Sequence, residues 1–288
     1  MPVLERVIGV HENASPDVTN ISFPGACWGR EFVSAAGDSL PLTTTGAALC
    51  AKVLNKVRPW TTAGLGCIVS VKLDMAEVAT GVWDTRLAEL AHTLTGLRVK
   101  LIIRPDPESD TEATVFVAGN NRSYGVLKRA APSLEVATCA MTYAWRPHAP
   151  ETADPAVWAD AVADIYLSDV YFGNSYPLGT LRDGHPGWTR WYEEIVAGRD
   201  RRWGLAEYGV LNVPGRPGTI DQQAEWFATD PIGQTCETII VWDTGGAEAN
   251  PLWLLDAPAQ AAVARMVARL RPSAAPAGLL RQRGLPTG

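Results

Sequence analysis

Asp106, Glu108 and Asp110 follow directly on the apolar run "LIIRP" (101–105), and Glu207 sits inside a second apolar run, "WGLAEYGV" (203–210). Acids at the ends of otherwise apolar strands are where two carboxyl groups can share one reaction. One protonates a leaving oxygen while the other attacks or activates water, which is what cleavage of a glycosidic bond requires. Gly209, just past Glu207, allows a sharp turn of the chain. Each acid also has a plainer reading as a solvated loop residue. The choice depends on what the rest of the chain builds around them.

Eight strand-like runs recur along the sequence: "RVIGV" (6–10), "EFVSAA" (31–36), "CIVSVKL" (67–73), "VKLIIR" (99–104), "EVATCAM" (135–141), "DIYLSDV" (164–170), "WGLAEYG" (203–209) and "TIIVW" (238–242). Helical patterns fill the gaps, among them 84–97, where Leu87, Leu90, Ala91 and Leu94 share one face, and 116–131, 220–229 and 257–270. Strands alternating with helices in this number predict an α/β fold, a (β/α)8 TIM barrel forming a single domain over residues 1–271. An open doubly wound sheet is the alternative. It lacks the G-x-G-x-x-G that would follow its first strand. Residues 272–288, rich in Pro, Ala and Gly, lack periodicity and read as an irregular tail able to contact other proteins of an assembly.

Composition narrows the function classes. A net charge of −6 with no basic cluster argues against nucleic acid as a partner. No stretch approaches the roughly 18 apolar residues of a membrane span. The start, "MPVLERVIGV", lacks the charged and long apolar regions of a secretory signal, so the expectation is synthesis in the cytoplasm. The cysteines at 27, 50, 67, 139 and 236 form no C-x-x-C pair and read as structural thiols, those at 67, 139 and 236 lying in apolar runs where a free thiol is buried. "HEN" (11–13) lacks the second ligand of H-E-x-x-H, so no metal is expected, and no cofactor motif is present. The 11 tryptophans serve either the core or a glycan surface, since an indole stacks on the C–H face of a sugar.

In a barrel, functional side chains gather at the C-terminal strand ends. Those ends offer His11, Glu12, Asp74, Asp106, Glu108, Trp145, Arg146, Tyr171, Asn174, Tyr176, Glu207, Tyr208, Trp242 and Asp243. His92 reads as a helix-surface residue, and His148 and His185 as solvated residues of Pro-rich loops, with contact to a substrate as the alternative. "GWTRWYEEI" (187–195) reads as the start of a helix whose aromatics pack inward or line a groove.

"VATGVWD" (78–84), "LAEYG" (205–209), "QAEWF" (223–227) and "IIVWDTGG" (239–246) occur in the order and rough spacing of family 26 glycoside hydrolases. The sequence resembles the β-mannanase-related actinobacterial and actinophage branch of that family from about residue 6 to residue 271. The resemblance implies a retaining (β/α)8 enzyme with Glu207 as nucleophile. Arg104, Trp145, Asp169, Tyr171, Tyr208 and Trp242 would then shape the sugar-binding positions. The family's acid/base glutamate follows a histidine at the end of the fourth strand, and here the sequence departs. Matching the "RP" of Arg104-Pro105 makes Glu108 the acid, with Pro107 where the histidine would be. Matching "PESD" (107–110) puts Asp106 in that place, one methylene short and preceded by Pro105. Both registers stay open.

Two functions follow from these residues. One is a retaining glycoside hydrolase acting on a β-linked glycan, mannan-type or from a cell wall. The other keeps the barrel without turnover, as a glycan-binding or structural component. The resemblance then implies a virion setting, as a minor tail protein of an actinophage that meets other tail proteins through residues 272–288.

Overall fold

A computed structural model of the chain describes residues 7–11, 25–34, 38–104, 112–145, 154–173, 177–243 and 253–270. The strands are β1 (Val7–His11), β2 (Trp28–Val33), β3 (Gly66–Val71), β4 (Val99–Ile103), β5 (Glu135–Met141), β6 (Ile165–Phe172), β7 (Trp203–Val210) and β8 (Cys236–Trp242). Each pairs in parallel with the next, and β8 returns to β1, from Val7 against Thr238 to His11 against Trp242, so the sheet closes as a barrel. The helices around it are α1 (Gly46–Thr62), α2 (Met75–Thr80), α3 (Asp84–Leu94), α4 (Ala113–Ala130), α5 (Pro155–Trp158), α6 (Leu181–Gly184), α7 (Pro186–Trp191), α8 (Arg216–Thr229) and α9 (Ala257–Leu270). The expected (β/α)8 barrel is the observed fold.

The strands read as continuous apolar runs because both of their faces are covered. Every residue of β3, β4 and β7 is buried. One set of side chains fills the lumen: Trp28, Ile68, Ile102, Ala137, Cys139, Ile165, Leu167, Ala206 and Ile240. The alternate set, including Val69, Leu101, Val170 and Tyr208, packs outward on the helices. On α1, Leu49, Val53, Val57 and Trp60 form the buried stripe, and the Thr45 hydroxyl accepts from Ala48 N to cap its start.

Strand β2 corrects the sequence reading. It begins at Trp28 and ends at Val33, three residues ahead of the expected 31–36. The shift follows from what the lumen needs at its floor, where Trp28 is the largest wedge. Cys67, Cys139 and Cys236 are buried and all five cysteines are free. Burial, with Glu31 adding to it, pushes the Cys67 thiol far up, which makes it inert.

Candidate active site

Strand β7 carries Ala206 into the lumen, and strict alternation would then send Glu207 outward. It does not, because β7 holds one extra residue at this point. Ser168 of β6 pairs with Leu205, yet the next residue, Asp169, pairs with Glu207. On the other side Leu205 pairs with Ile239 and Tyr208 with Val241, again one residue out of step. Such a bulge re-aims the side chains beyond it. Glu207 therefore joins Ala206 on the lumen side, and Tyr208 turns out into the helix-facing core.

Glu207 is 3% exposed and its two oxygens face different donors. The Tyr171 hydroxyl donates to Oε2. Arg30 Nη2 forms an ion pair with Oε1 at 3.6 Å. Arg30 is itself fully buried on β2, donates through Nη1 to the Ser70 hydroxyl of β3, and lies 4.3 Å from the centre of the Phe32 ring. A buried charge persists only when paired, and here each member supplies the other's partner. A carboxylate held by two donors and facing the lumen can act as a nucleophile or as an electrostatic anchor, and it has no freedom to swing away.

Aromatic rings wall the same place. Trp242, at the end of β8, meets Phe32 edge-on at 6.2 Å and Tyr171 edge-on at 6.2 Å. Trp253 meets Tyr171 at 5.0 Å. Gly209 provides the space: a Cβ there would fall 2.4 Å from the Tyr171 ring. The expected sharp turn at Gly209 is not observed, since β7 runs on through Val210. The glycine serves close approach of a ring instead.

The structure thus brings together Glu207, Tyr171 and Trp242, with Asp169 fully buried at the Glu207 level of β6. Two expected sugar-lining residues are corrected. Trp145 is 1% exposed and packs edge-on against Trp158 behind the sheet, so no ligand reaches it. Tyr208 is fully buried against Phe172, and burial pushes its phenol far up. Both are core aromatics, one by its place beneath a helix and the other because of the bulge. Arg104 is buried with a left-handed backbone (φ 60°) and donates to the Ser39 hydroxyl at 3.1 Å. It lines a separate cavity of about 250 Å³ that also involves Asp74 and Glu112 but none of Glu207, Tyr171 or Trp242. Asp74 accepts from Ala76 N and Glu77 N as the cap of α2, which is a structural role. Asp106 and Glu108 lie outside the described residues, as do Glu12, Arg146, His148, Asn174 and Tyr176.

His185 is also corrected. It is 1% exposed where a solvated loop residue was expected. Its Nδ1 accepts from Trp188 N at 3.1 Å to cap α7, and its ring meets Phe172 edge-on at 5.2 Å. Burial pushes its pKa down to about 4, against weaker opposing hydrogen bonds to backbone that include Tyr171. His92, by contrast, is exposed on α3 as expected.

Arg30 and Trp253 were missed. Arg30 had a signal, a lone arginine between Trp28 and Phe32 at the period of a strand. Trp253 had none. Among the described residues, no cluster of three or more His, Cys, Asp or Glu could hold a metal ion, and no helix is long and apolar enough to cross a membrane.

The sequence matches no protein-family model and no curated protein. Solved structures do match. GH5_18 from Bifidobacterium longum subsp. infantis aligns with a TM-score of 0.66 at 16% identity, covering 93% of this chain and 80% of that one. A variant of GH5_18 from Streptomyces cattleya, in complex with Manβ1-4GlcNAc, gives 0.64 at 14% identity over 94% of this chain and 82% of that one. The β-mannanase from the blue mussel Mytilus edulis gives 0.58 at 11% identity over 92% and 91%. At such identities the likeness is one of architecture: this chain has the (β/α)8 barrel found in these glycoside hydrolases.

Proposed function

We propose that this barrel cleaves a β-linked glycan by a retaining mechanism in which Glu207 is the nucleophile. The observation that carries the proposal is the bulge in β7, which turns Glu207 into the lumen between Arg30 and Tyr171 and beneath an aromatic wall. Glu207 would attack the anomeric carbon while a second carboxyl group protonates the leaving oxygen, then accepts a proton from the incoming water. Asp106 or Glu108 would supply that second group, roughly 5–5.5 Å from the first in a retaining pair. The four motifs shared with family 26 support this assignment of roles, and the β-mannanase and the Manβ1-4GlcNAc complex among the similar structures support a β-mannoside or a related linkage as substrate.

A reducing-end assay on β-mannans, β-glucans and actinobacterial wall glycans tests the proposal. Release that Glu207→Gln abolishes is the expected outcome. Release that Glu207→Gln leaves intact would remove Glu207 from the chemistry. Aryl glycosides then separate the two acid candidates. A substrate with an acidic leaving group needs no proton donor in the first step. The true acid variant, Asp106→Asn or Glu108→Gln, therefore keeps a rapid burst of phenol release on it, with slow turnover for want of the base in the second step, and loses activity on natural glycans.

One observation favours a second reading. Proline precedes both Asp106 and Glu108, where the resembled family has a histidine before its acid. An impaired acid would leave a glycan-binding barrel, which in the actinophage setting would serve as a tail component. Binding detected by tryptophan fluorescence without any release of reducing ends, together with recovery of the chain from purified particles, is the outcome that selects this reading.

A further inference from the structure

Trp253 plays no part in the mechanism above, yet the three residues that follow it are tied to the barrel. Arg216 Nη1 donates to the Leu254 carbonyl at 2.8 Å, and its Nη2 pairs with Asp256 at 2.9 Å. Asp243, at the end of β8, accepts from Leu255 N at 3.1 Å. Arg216 is 1% exposed and Leu255 3%, so these two anchors are buried, whereas Asp256 is exposed and the indole stays partly open.

Its position relative to Glu207 follows from β7. Gly209 is the next lumen-facing residue after Glu207, about 7 Å further along the strand. A Cβ on Gly209 would sit 3.5 Å from Trp253 Cε3. The indole therefore stands one step above the carboxylate, against the Tyr171 ring, whose hydroxyl is committed to Glu207. A ligand resting on Trp253 is thereby placed next to the carboxylate through two rings in contact.

We propose that Trp253 is a sugar-stacking platform, a specificity-determining residue that selects the unit of a β-linked oligosaccharide seated beside the one held at Glu207. The inference rests on the glycan reading of the site. A β-linked pyranose offers a flat C–H face to an indole, and a partly exposed indole that packs on Tyr171 and is followed by an anchored segment loses little freedom on binding. A tryptophan that only packs against Tyr171 would need bulk there and no aromatic face.

That difference is the test. In the Glu207→Gln protein, expected to bind without turnover, affinity for β-1,4-mannotriose and cellotriose is measured with Trp253 intact, replaced by Phe and replaced by Leu. Trp253→Leu is expected to weaken binding about tenfold, and Trp253→Phe less than about threefold, since only the phenyl ring keeps a π face. Equal affinity for all three overturns the platform and leaves the glycan reading standing. Absence of binding to any β-linked trisaccharide by Glu207→Gln, with no release by the parent, removes both. In the unmutated sequence, indole oxidation mapped by mass spectrometry gives an independent answer should Trp253→Leu fail to fold. Protection of Trp253 by the trisaccharide supports the platform, and equal oxidation with and without it overturns it.

Discussion

The two ends of the barrel each hold a cluster of charges around an aromatic ring, and they solve different problems. At the N-terminal floor, Lys100 lies 5.1 Å from the centre of a Trp28 ring and pairs with Glu135. Arg202 joins Glu135 at 2.7 Å and Glu237 at 2.6 Å. Each of these four charges has a close opposite, drawn from the starts of neighbouring strands. At the mouth, Arg30 and Glu207 sit at 3.6 Å, the carboxylate is shared with a tyrosine, and the surrounding surface is aromatic. The floor is arranged to be neutral and shut. The mouth is arranged so that one carboxylate is held at a fixed angle towards the space above it. Conserving energy and positioning chemistry call for different geometries, and the barrel separates them by its length.

The largest expected effect falls on the mouth's chemistry. Glu207→Gln should lower turnover of a cleaved glycan by on the order of 10⁴-fold or more. It should also lower the melting temperature, because the buried Arg30 loses its counter-charge even though the amide still accepts from Tyr171. Next, Arg30→Met leaves Glu207 buried without its cation, which should cost about 3–5 kcal/mol by denaturant titration. Adding Glu207→Gln to Arg30→Met should recover much of that loss, because the unpaired charge is gone. Purely additive losses in the double variant would show that the pair is not coupled, and the contrast with the floor would lose its basis.

The same contrast explains what the sequence disclosed. All eight strands were legible, since β-branched apolar runs covered on both faces leave few other readings. Glu207 was legible because an acid within such a run stands out. Its face was not: the bulge that sends Glu207 inward and Tyr208 outward is a property of three paired strands, and alternation along "LAEYGV" alone gives the opposite answer. Trp145 carried the same ambiguity, as a large aromatic near a strand end fits a core or a cleft equally well. Arg30 was hidden by a strand start placed three residues late. His185, flanked by Pro186, has the local chemistry of a loop, and its burial comes from Phe172 and Trp188. Trp253 depends on Arg216 and Asp243, neither of them near enough in sequence to mark it.

His185 sharpens the mouth side with a pH dependence. Its folded pKa, about 4, lies below the ordinary histidine value of 6.5. The unfolded chain therefore binds the proton more readily between those values, and stability is full above about 6.5 and falls as pH drops towards 4. The loss attributable to this ring is roughly 3 kcal/mol across that window. His185→Asn, which retains a side chain able to cap α7, should be less stable at neutral pH and should lack this part of the acid slope. Chemical denaturation of the parent and His185→Asn at several pH values reads the difference directly. Parallel slopes would mean that the ring is not held neutral.

The smallest expected effect belongs to the floor. Arg202 bridges Glu135 and Glu237, but its side chain is 47% exposed, so water and salt screen what it contributes. Arg202→Met should cost about 1 kcal/mol or less, a shift of about 2–4 °C in melting temperature, and added salt should narrow the gap from the parent. Catalysis, if present, should be unchanged, since no residue of the floor faces Glu207. An equal fall in activity and stability would mean that strain at the floor travels up the strands to the carboxylate. The two ends would then be one mechanical unit, and the bulge in β7 is where that strain would be expected to act.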